Sequence, residues 1–103
     1  MFTYWLAVVV GDDPKAIDRR MAFDEALEDA SEREIFGLSF SFLVFESAEA
    51  IDPLCAALGD ALDPSRDSFL LHLAGRHEAR AFGLPEQHEL FDLLDYLAPG
   101  PAH

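Results

Sequence analysis

The sequence predicts an α+β fold in which two helices cover one face of a single sheet. Three observations indicate it: apolar runs with the period of strands, two Asp-Pro pairs that begin helices, and the order strand, helix, strand, helix, strand. The chain has 103 residues and half of them are apolar, enough for one core. We therefore expect a single ferredoxin-like βαββαβ sandwich over residues 1–98, with an extra short strand, a C-terminal helix and a frayed tail over residues 99–103. A small doubly wound sheet is the alternative.

The first strand and the first helix follow from the first thirty residues. Residues 4–10 are continuously apolar, as in a central strand that is covered on both faces. Gly11 ends this run. Asp13 and Pro14 then fit the N-cap and the first position of a helix that extends to about Ala30.

The middle of the chain predicts one or two strands and a second helix. Apolar and small residues alternate in residues 35–45, and Gly37 is compatible with either a bulge or a turn. Asp52 and Pro53 repeat the helix-start signal, which places the second helix over residues 53–62. Its apolar face includes the lone cysteine, Cys55, which we interpret as a small core residue.

The last third predicts a hairpin and a third helix. Residues 68–73 and 79–82 have the pattern of strands, and we interpret Arg66 and Asp67 before them as turn and surface charges. His72 is expected to be a half-buried strand residue. Leucines at helical spacing predict the final helix over residues 86–97, which would occupy the open face of the sheet if it packs there.

Charge excludes several classes of function. The chain carries 20 acidic and 7 basic side chains, a formal net charge of −13 at pH 7. This charge opposes binding to nucleic acid or to an anionic membrane, and no apolar run approaches the ~20 residues of a membrane span. The N-terminus also lacks the pattern of a signal peptide. We expect a cytoplasmic protein without a resident cofactor, and neither nucleic acid nor a membrane as its partner.

Three stretches of the sequence resemble the small ferredoxin-like proteins of CRISPR adaptation and the related VapD-type toxin nucleases. LAVVVGDD, residues 6–13, resembles their first strand with its terminal aspartate. The most specific stretch is residues 43–73, LVFESAEAIDPLCAALGDALDPSRDSFLLHL, which resembles the family's strand, acidic turn, helix, turn and apolar strand. ARAFGLP, residues 79–85, resembles a short last strand that crosses to the other protomer.

The resemblance implies a homodimer and, in active members, metal-dependent cleavage of phosphodiester bonds. One aspartate from each protomer holds a divalent ion at the dimer axis, and the matching residue here is Asp12. Two carboxylates with waters suit Mg²⁺, which orients a nucleophile and neutralises charge on phosphate. Asp12 is thus the candidate catalytic and metal-binding residue of a Mg²⁺-dependent endonuclease.

The sequence departs from that family where phosphate would bind. Gly11 stands where an aromatic residue usually precedes the aspartate, and Leu43 where a serine is frequent. Residues 34–65 and 81–103 contain no Lys or Arg, although a nuclease needs cations opposite phosphates. We therefore expect a non-catalytic, homodimeric interaction module, with the nuclease as the alternative. The dimer prediction rests on the open sheet face and on the strand over residues 79–82, otherwise an exposed edge.

A third hypothesis, from another class, is an acidic mimic of nucleic acid that binds a basic protein. The densest charge run lies in the first helix and comprises Asp24, Glu25, Glu28 and Asp29. These side chains form either a solvated helix face or a docking surface for a basic partner.

Overall fold

The computed structural model describes residues 1–101, which form a mixed α+β fold with a six-stranded sheet and three helices. The elements in chain order are β1 (Phe2–Val9), α1 (Ala16–Ala30), β2 (Phe36–Ser39), β3 (Phe42–Ser47), α2 (Ile51–Gly59), β4 (Ser68–Leu73), β5 (Ala79–Phe82), α3 (Leu90–Leu93) and β6 (Leu97–Pro99). The strand order is β2-β3-β1-β4-β5-β6. Neighbouring strands are antiparallel except β5 and β6, which are parallel. The predicted α+β class is confirmed.

Strand β1 is central, and its alternation sets the main core. Tyr4, Leu6 and Val8 are buried on the face that α1 and α2 cover, where they pack with Phe23 of α1 and Leu54 of α2. Each large apolar side chain buried in this way contributes roughly 1.5–3 kcal/mol. The two long helices therefore lie on one face of the sheet, which leaves a far face behind it.

Residues 35–45 form two strands joined by a turn at Phe40 and Ser41. The sequence left open whether Gly37 marks a bulge in one strand or a turn between two. The structure has a register shift between Gly37 and Ser39, which is the bulge, and the turn follows it. Strand β2 is consequently short and lies at one edge of the sheet.

The two aspartates predicted as N-caps, Asp13 and Asp52, both bind arginines. Helix α1 begins at residue 16 and α2 at residue 51, and neither start has a side-chain cap hydrogen bond. The Asp13 carboxylate lies 2.6 Å from Arg19, and the Asp52 carboxylate lies 2.7 Å from Arg80. Asp13 also accepts a hydrogen bond from the N–H of Lys15 at 3.3 Å, so its carboxylate serves both the turn before α1 and the ion pair.

The C-terminal segment differs most from the prediction. The helix expected over residues 86–97 is a single turn, α3, followed by β6, which pairs with β5. Leu90 and Leu94 pack on the far face against the alanines of β5 and Leu97. Pairing with β6 satisfies backbone groups at the edge of β5, and this tertiary gain outweighs helical propensity. The strand over residues 79–82 is therefore paired on both sides within its own chain, so it does not need a second copy to cover its edge.

The end of the chain stays attached to the sheet beyond the point where fraying was expected. Pro99 belongs to β6, and the N–H of Gly100 donates to the carbonyl oxygen of Ala81 at 2.8 Å. Residues 102 and 103 of the expected tail lie outside the described residues. Within residues 1–101, no helix combines the length and the apolar composition of a membrane span.

Candidate functional site

A buried carboxylate joins the end of β1 to the turn before β4. The Asp67 side chain is 0% exposed. It accepts hydrogen bonds from the N–H groups of Gly11 and Asp63, at 2.9 and 2.8 Å, and from Nε and Nη2 of Arg19, at 2.7 and 2.9 Å. The interpretation of Asp67 as a surface charge is wrong, because four donors inside the fold satisfy it.

Arg19 lies between two aspartates. Its Nη1 and Nη2 donate to Asp13 at 2.8 and 2.6 Å, and its Nε and Nη2 donate to Asp67. Arg66 approaches Asp13 at 3.3 Å and Asp63 at 3.5 Å. We call these five residues, Asp13, Arg19, Asp63, Arg66 and Asp67, the Arg19 cluster.

The cluster holds its acids ionised. The hydrogen bonds from Arg19 keep the pKa of Asp13 well below its usual range, and Asp13 and Asp67 together raise the pKa of Arg19. Burial works to raise the pKa of Asp67, but hydrogen bonds from Arg19, Asp63 and Gly11 outweigh it, so the net pKa is lowered. Through its ion pairs and hydrogen bonds, the Arg19 cluster links the end of β1, α1 and the turn before β4.

Asp12, the candidate metal ligand, lies at an exposed position beside this cluster. It follows Gly11, whose N–H donates a hydrogen bond to the Asp67 carboxylate, and it precedes Asp13. The guanidinium groups of Arg19 and Arg66 already have carboxylate partners there. In the part of the chain that the structure describes, no group of three or more His, Cys, Asp or Glu side chains is placed to hold a metal ion.

A groove separates α1 from the β2–β3 hairpin, and we call it the α1–hairpin groove. One cavity of about 440 Å³ has exposed apolar side chains from three elements in its lining, Val9, Ile17, Met21 and Phe40. A second cavity of about 400 Å³ shares Arg20, Asp24 and Phe40 with the first and adds Glu28. The groove is thus mainly apolar, with an Arg20–Asp24 ion pair in both cavities and a further acid, Glu28, in the second.

Arg20 bridges the two walls of the groove. Its Nε lies 3.0 Å from Asp24, and its Nη2 donates to the carbonyl oxygen of Phe40 at 2.8 Å. The guanidinium carbon also lies 4.9 Å from the centre of the Phe40 ring, a cation–π contact. Arg20 is the one basic residue that lines either cavity within residues 1–101, and its charge is used inside the chain.

The four acidic residues predicted to form one docking surface lie on two adjacent stripes of α1. Asp24 and Glu28 face the hairpin and line the groove. Glu25 and Asp29 are exposed on α1 outside that lining. Because residues four apart share a helix face, each pair lies on its own stripe.

The far face of the sheet carries an aromatic cluster. Trp5 stacks on His72 at 4.5 Å and on Phe42 at 5.5 Å, and the Tyr96 ring meets His72 edge-on at 5.5 Å. Burial lowers the pKa of His72. This histidine is half-buried, as predicted, and among the described residues its Nδ1 has no hydrogen-bond partner.

Cys55 belongs to the core, as predicted. It is buried on α2, and burial raises the pKa of its thiol to about 11. The thiol is therefore protonated at neutral pH, which argues against a nucleophilic role.

Comparisons with known proteins return no relative: no family model, curated protein or solved structure matches the chain. The resemblance to CRISPR-adaptation and VapD-type proteins therefore stays a prediction from the sequence. Three features of the structure are used in the proposals below. They are the Arg19 cluster beside Asp12, the α1–hairpin groove, and the edge strand β2.

Proposed function

We propose that this chain is a non-catalytic interaction module that acts as a homodimer through its edge strand β2. The uncharged β2–β3 hairpin carries the proposal. Phe36 and Leu38 of β2 are 60% and 78% exposed, and residues 35–45 contain no charged side chain in a chain of net charge −13. Edge strands usually carry charges that prevent pairing with another chain. This edge is where two copies of so acidic a protein meet with the least repulsion.

The other edge and the far face are less suited to a second copy. Strand β5, which the resemblance implies would cross to the other protomer, pairs with β4 and β6 of its own chain. Strand β6 is three residues long and ends in Pro99, which has no N–H to donate. Leu90 and Leu94 occupy part of the far face. The dimer proposed here therefore uses β2 rather than the surfaces that the sequence indicated.

The order of the first four strands supports a ferredoxin-like interpretation and, with it, the proposed relation to CRISPR-adaptation and VapD-type proteins. In β2-β3-β1-β4 every neighbour is antiparallel. Helices α1 and α2 lie in the two connections that cross the sheet, as in a βαββαβ unit. Strands β5 and β6 extend the sheet beyond that unit.

The surroundings of Asp12 support a function without catalysis. A nuclease needs cations that bind phosphate, and the arginines of the Arg19 cluster are paired with carboxylates. We expect the protein to leave RNA and DNA intact in Mg²⁺ or Mn²⁺. Cleavage by the native protein that is lost in Asp12→Ala would overturn this half of the proposal and favour the nuclease.

The dimer is tested by light scattering or sedimentation at micromolar concentration. We expect twice the chain mass of 11.4 kDa for the native protein and the single-chain mass for Leu38→Lys, because paired edges would bring two lysines together. Leu93→Lys is the matched control: Leu93 is 74% exposed but lies on α3, so this variant should stay dimeric. Circular dichroism verifies that both variants fold. A native protein of single-chain mass, or two variants that behave alike, would refute the β2 dimer.

A further inference from the structure

We propose that the α1–hairpin groove binds a basic amphipathic segment of another protein. Of the β2 strand proposed for the dimer, Ser39 lines this site, whereas Phe36 and Leu38 lie outside its lining. The groove combines exposed apolar side chains with acidic ones on α1.

The apolar part of the groove is shaped for side chains spaced along a helix. Ile17 and Met21 lie one turn apart on α1, and they line one cavity with Phe40 of the hairpin turn and Val9 of β1. These four side chains are 63–80% exposed. Large apolar groups gathered in one concave place are unusual on a surface that has no partner. A helix that docks in such a groove anchors with apolar residues at positions i, i+3 or i+4 and i+7.

The acidic part of the groove selects the charge of that segment. Glu28 lines only the second cavity, and it adds a negative charge beside the ion pair of Arg20 with Asp24. The exposed acids Glu25 and Asp29 lie on the neighbouring stripe of α1. Lysines or arginines beside the apolar anchors would complement these acids.

A second copy of the chain is a poor occupant of this groove. It would bring a net charge of −13 toward the acidic residues of α1, and like charges held close together oppose association. The uncharged hairpin edge has no such residues. The two proposals therefore assign different occupants to different surfaces.

The test uses a fluorescent peptide of leucine and lysine in amphipathic helical order, about 14 residues or roughly four helical turns long. Binding to the native protein is followed by fluorescence polarisation at low salt. We expect saturable binding that weakens at least tenfold at ~0.5 M salt. A peptide of the same composition in scrambled order should bind about tenfold more weakly, because it cannot place its leucines on one face. Equal binding of the two peptides would overturn the proposal.

Matched variants separate the groove from general attraction to an acidic protein. Glu28→Lys and Glu86→Lys change the net charge by the same amount at exposed positions, but only Glu28 lines the groove. We expect about tenfold weaker binding for Glu28→Lys and less than about twofold for Glu86→Lys. Ile17→Ser and Leu93→Ser form the apolar pair, with 75% and 74% exposure, and only Ile17→Ser should weaken binding. Equal effects within either pair would overturn the proposal.

The β2 edge and the groove are distinguished by one further comparison. Leu38→Lys should lose the dimer yet bind the peptide as the native protein does. A monomeric native protein that still passes the variant tests would refute the dimer and leave the groove proposal intact. If Leu38→Lys abolishes peptide binding, or if Ile17→Ser also dissociates the dimer, the separate groove site is refuted.

Discussion

Replacing Asp67 with asparagine tests whether the Arg19 cluster holds the fold together. The substitution keeps the shape of the side chain but removes its charge and exchanges one acceptor oxygen for an NH₂ group. Each carboxylate oxygen accepts two hydrogen bonds: Oδ1 from Gly11 and Arg19, Oδ2 from Asp63 and Arg19. Whichever oxygen is exchanged, two donors lose their acceptor, and Arg19 loses one of its two countercharges.

The cost follows from the burial of this site. Removing one partner of a buried ion pair destabilises a protein by about 3–5 kcal/mol, a large part of the ~5–15 kcal/mol that stabilises a domain. Asp13 still pairs with Arg19 in the variant and limits the loss. We therefore expect Asp67→Asn to lose about 3 kcal/mol, at the lower end of this range. The melting temperature should then fall by roughly 12 °C or more.

The assay is urea unfolding at pH 7, followed by the fluorescence of Trp5, the single tryptophan, and by circular dichroism. Protein concentration is held fixed because association shifts apparent stability. Asp29→Asn is the control: it makes the same change of charge at an exposed position of α1 and should stay within about 0.5 kcal/mol of the native protein. A loss below about 1 kcal/mol for Asp67→Asn would refute the structural role of the cluster.

Three further predictions concern stability and are checked by the same unfolding assay. The pKa of Asp67 is lowered from its ordinary 3.8. The ionised Asp67 side chain therefore stabilises the fold fully above that pH, and this stabilisation is lost as the pH falls below it. In this acidic range the free energy of unfolding of Asp67→Asn should change less than that of the native protein. Gly83→Ala should cost about 2 kcal/mol more than Gly75→Ala. Both glycines have a positive φ, but a Cβ at Gly83 would collide with the Asp67 carbonyl oxygen, whereas one at Gly75 meets nothing within 4 Å. Equal losses would contradict this prediction. Tyr4→Phe should lower the free energy of unfolding by about 1 kcal/mol, because the Tyr4 hydroxyl donates to the Glu49 carbonyl oxygen at 2.7 Å. An unchanged urea midpoint would show that this hydrogen bond does not stabilise the fold.

Local patterns were enough to predict most of the elements. The predicted strands over residues 68–73 and 79–82 coincide with β4 and β5, since alternation and the flanking turn residues are properties of neighbouring residues. The α1 helix ends at Ala30, where the sequence placed its end. The prediction of a helix over residues 86–97 was wrong because the same leucines fit either a helical turn or a strand. Pairing with β5 decides between them.

The candidate site was less accessible to sequence reasoning. Asp67 binds Arg19 across 48 residues and Gly11 across 56, and no local pattern announces contacts over such separations. The acidic residues of α1 were visible in the sequence as a charge run. Which of them line the groove depends on where the hairpin packs. The groove itself exists only through the approach of Phe40 to α1, so the sequence offered no signal for it beyond exposed apolar residues on a helix.

The long reach of the Asp67 contacts has a consequence for how fast the protein opens. The contacts join the end of β1 to the turn before β4, so we expect them to form late, once these two strands are paired. Interactions completed after the transition state slow unfolding and leave the folding rate nearly unchanged. We expect the stability lost in Asp67→Asn to appear in the unfolding arm of a stopped-flow chevron, which would make this carboxylate a determinant of the lifetime of the native state.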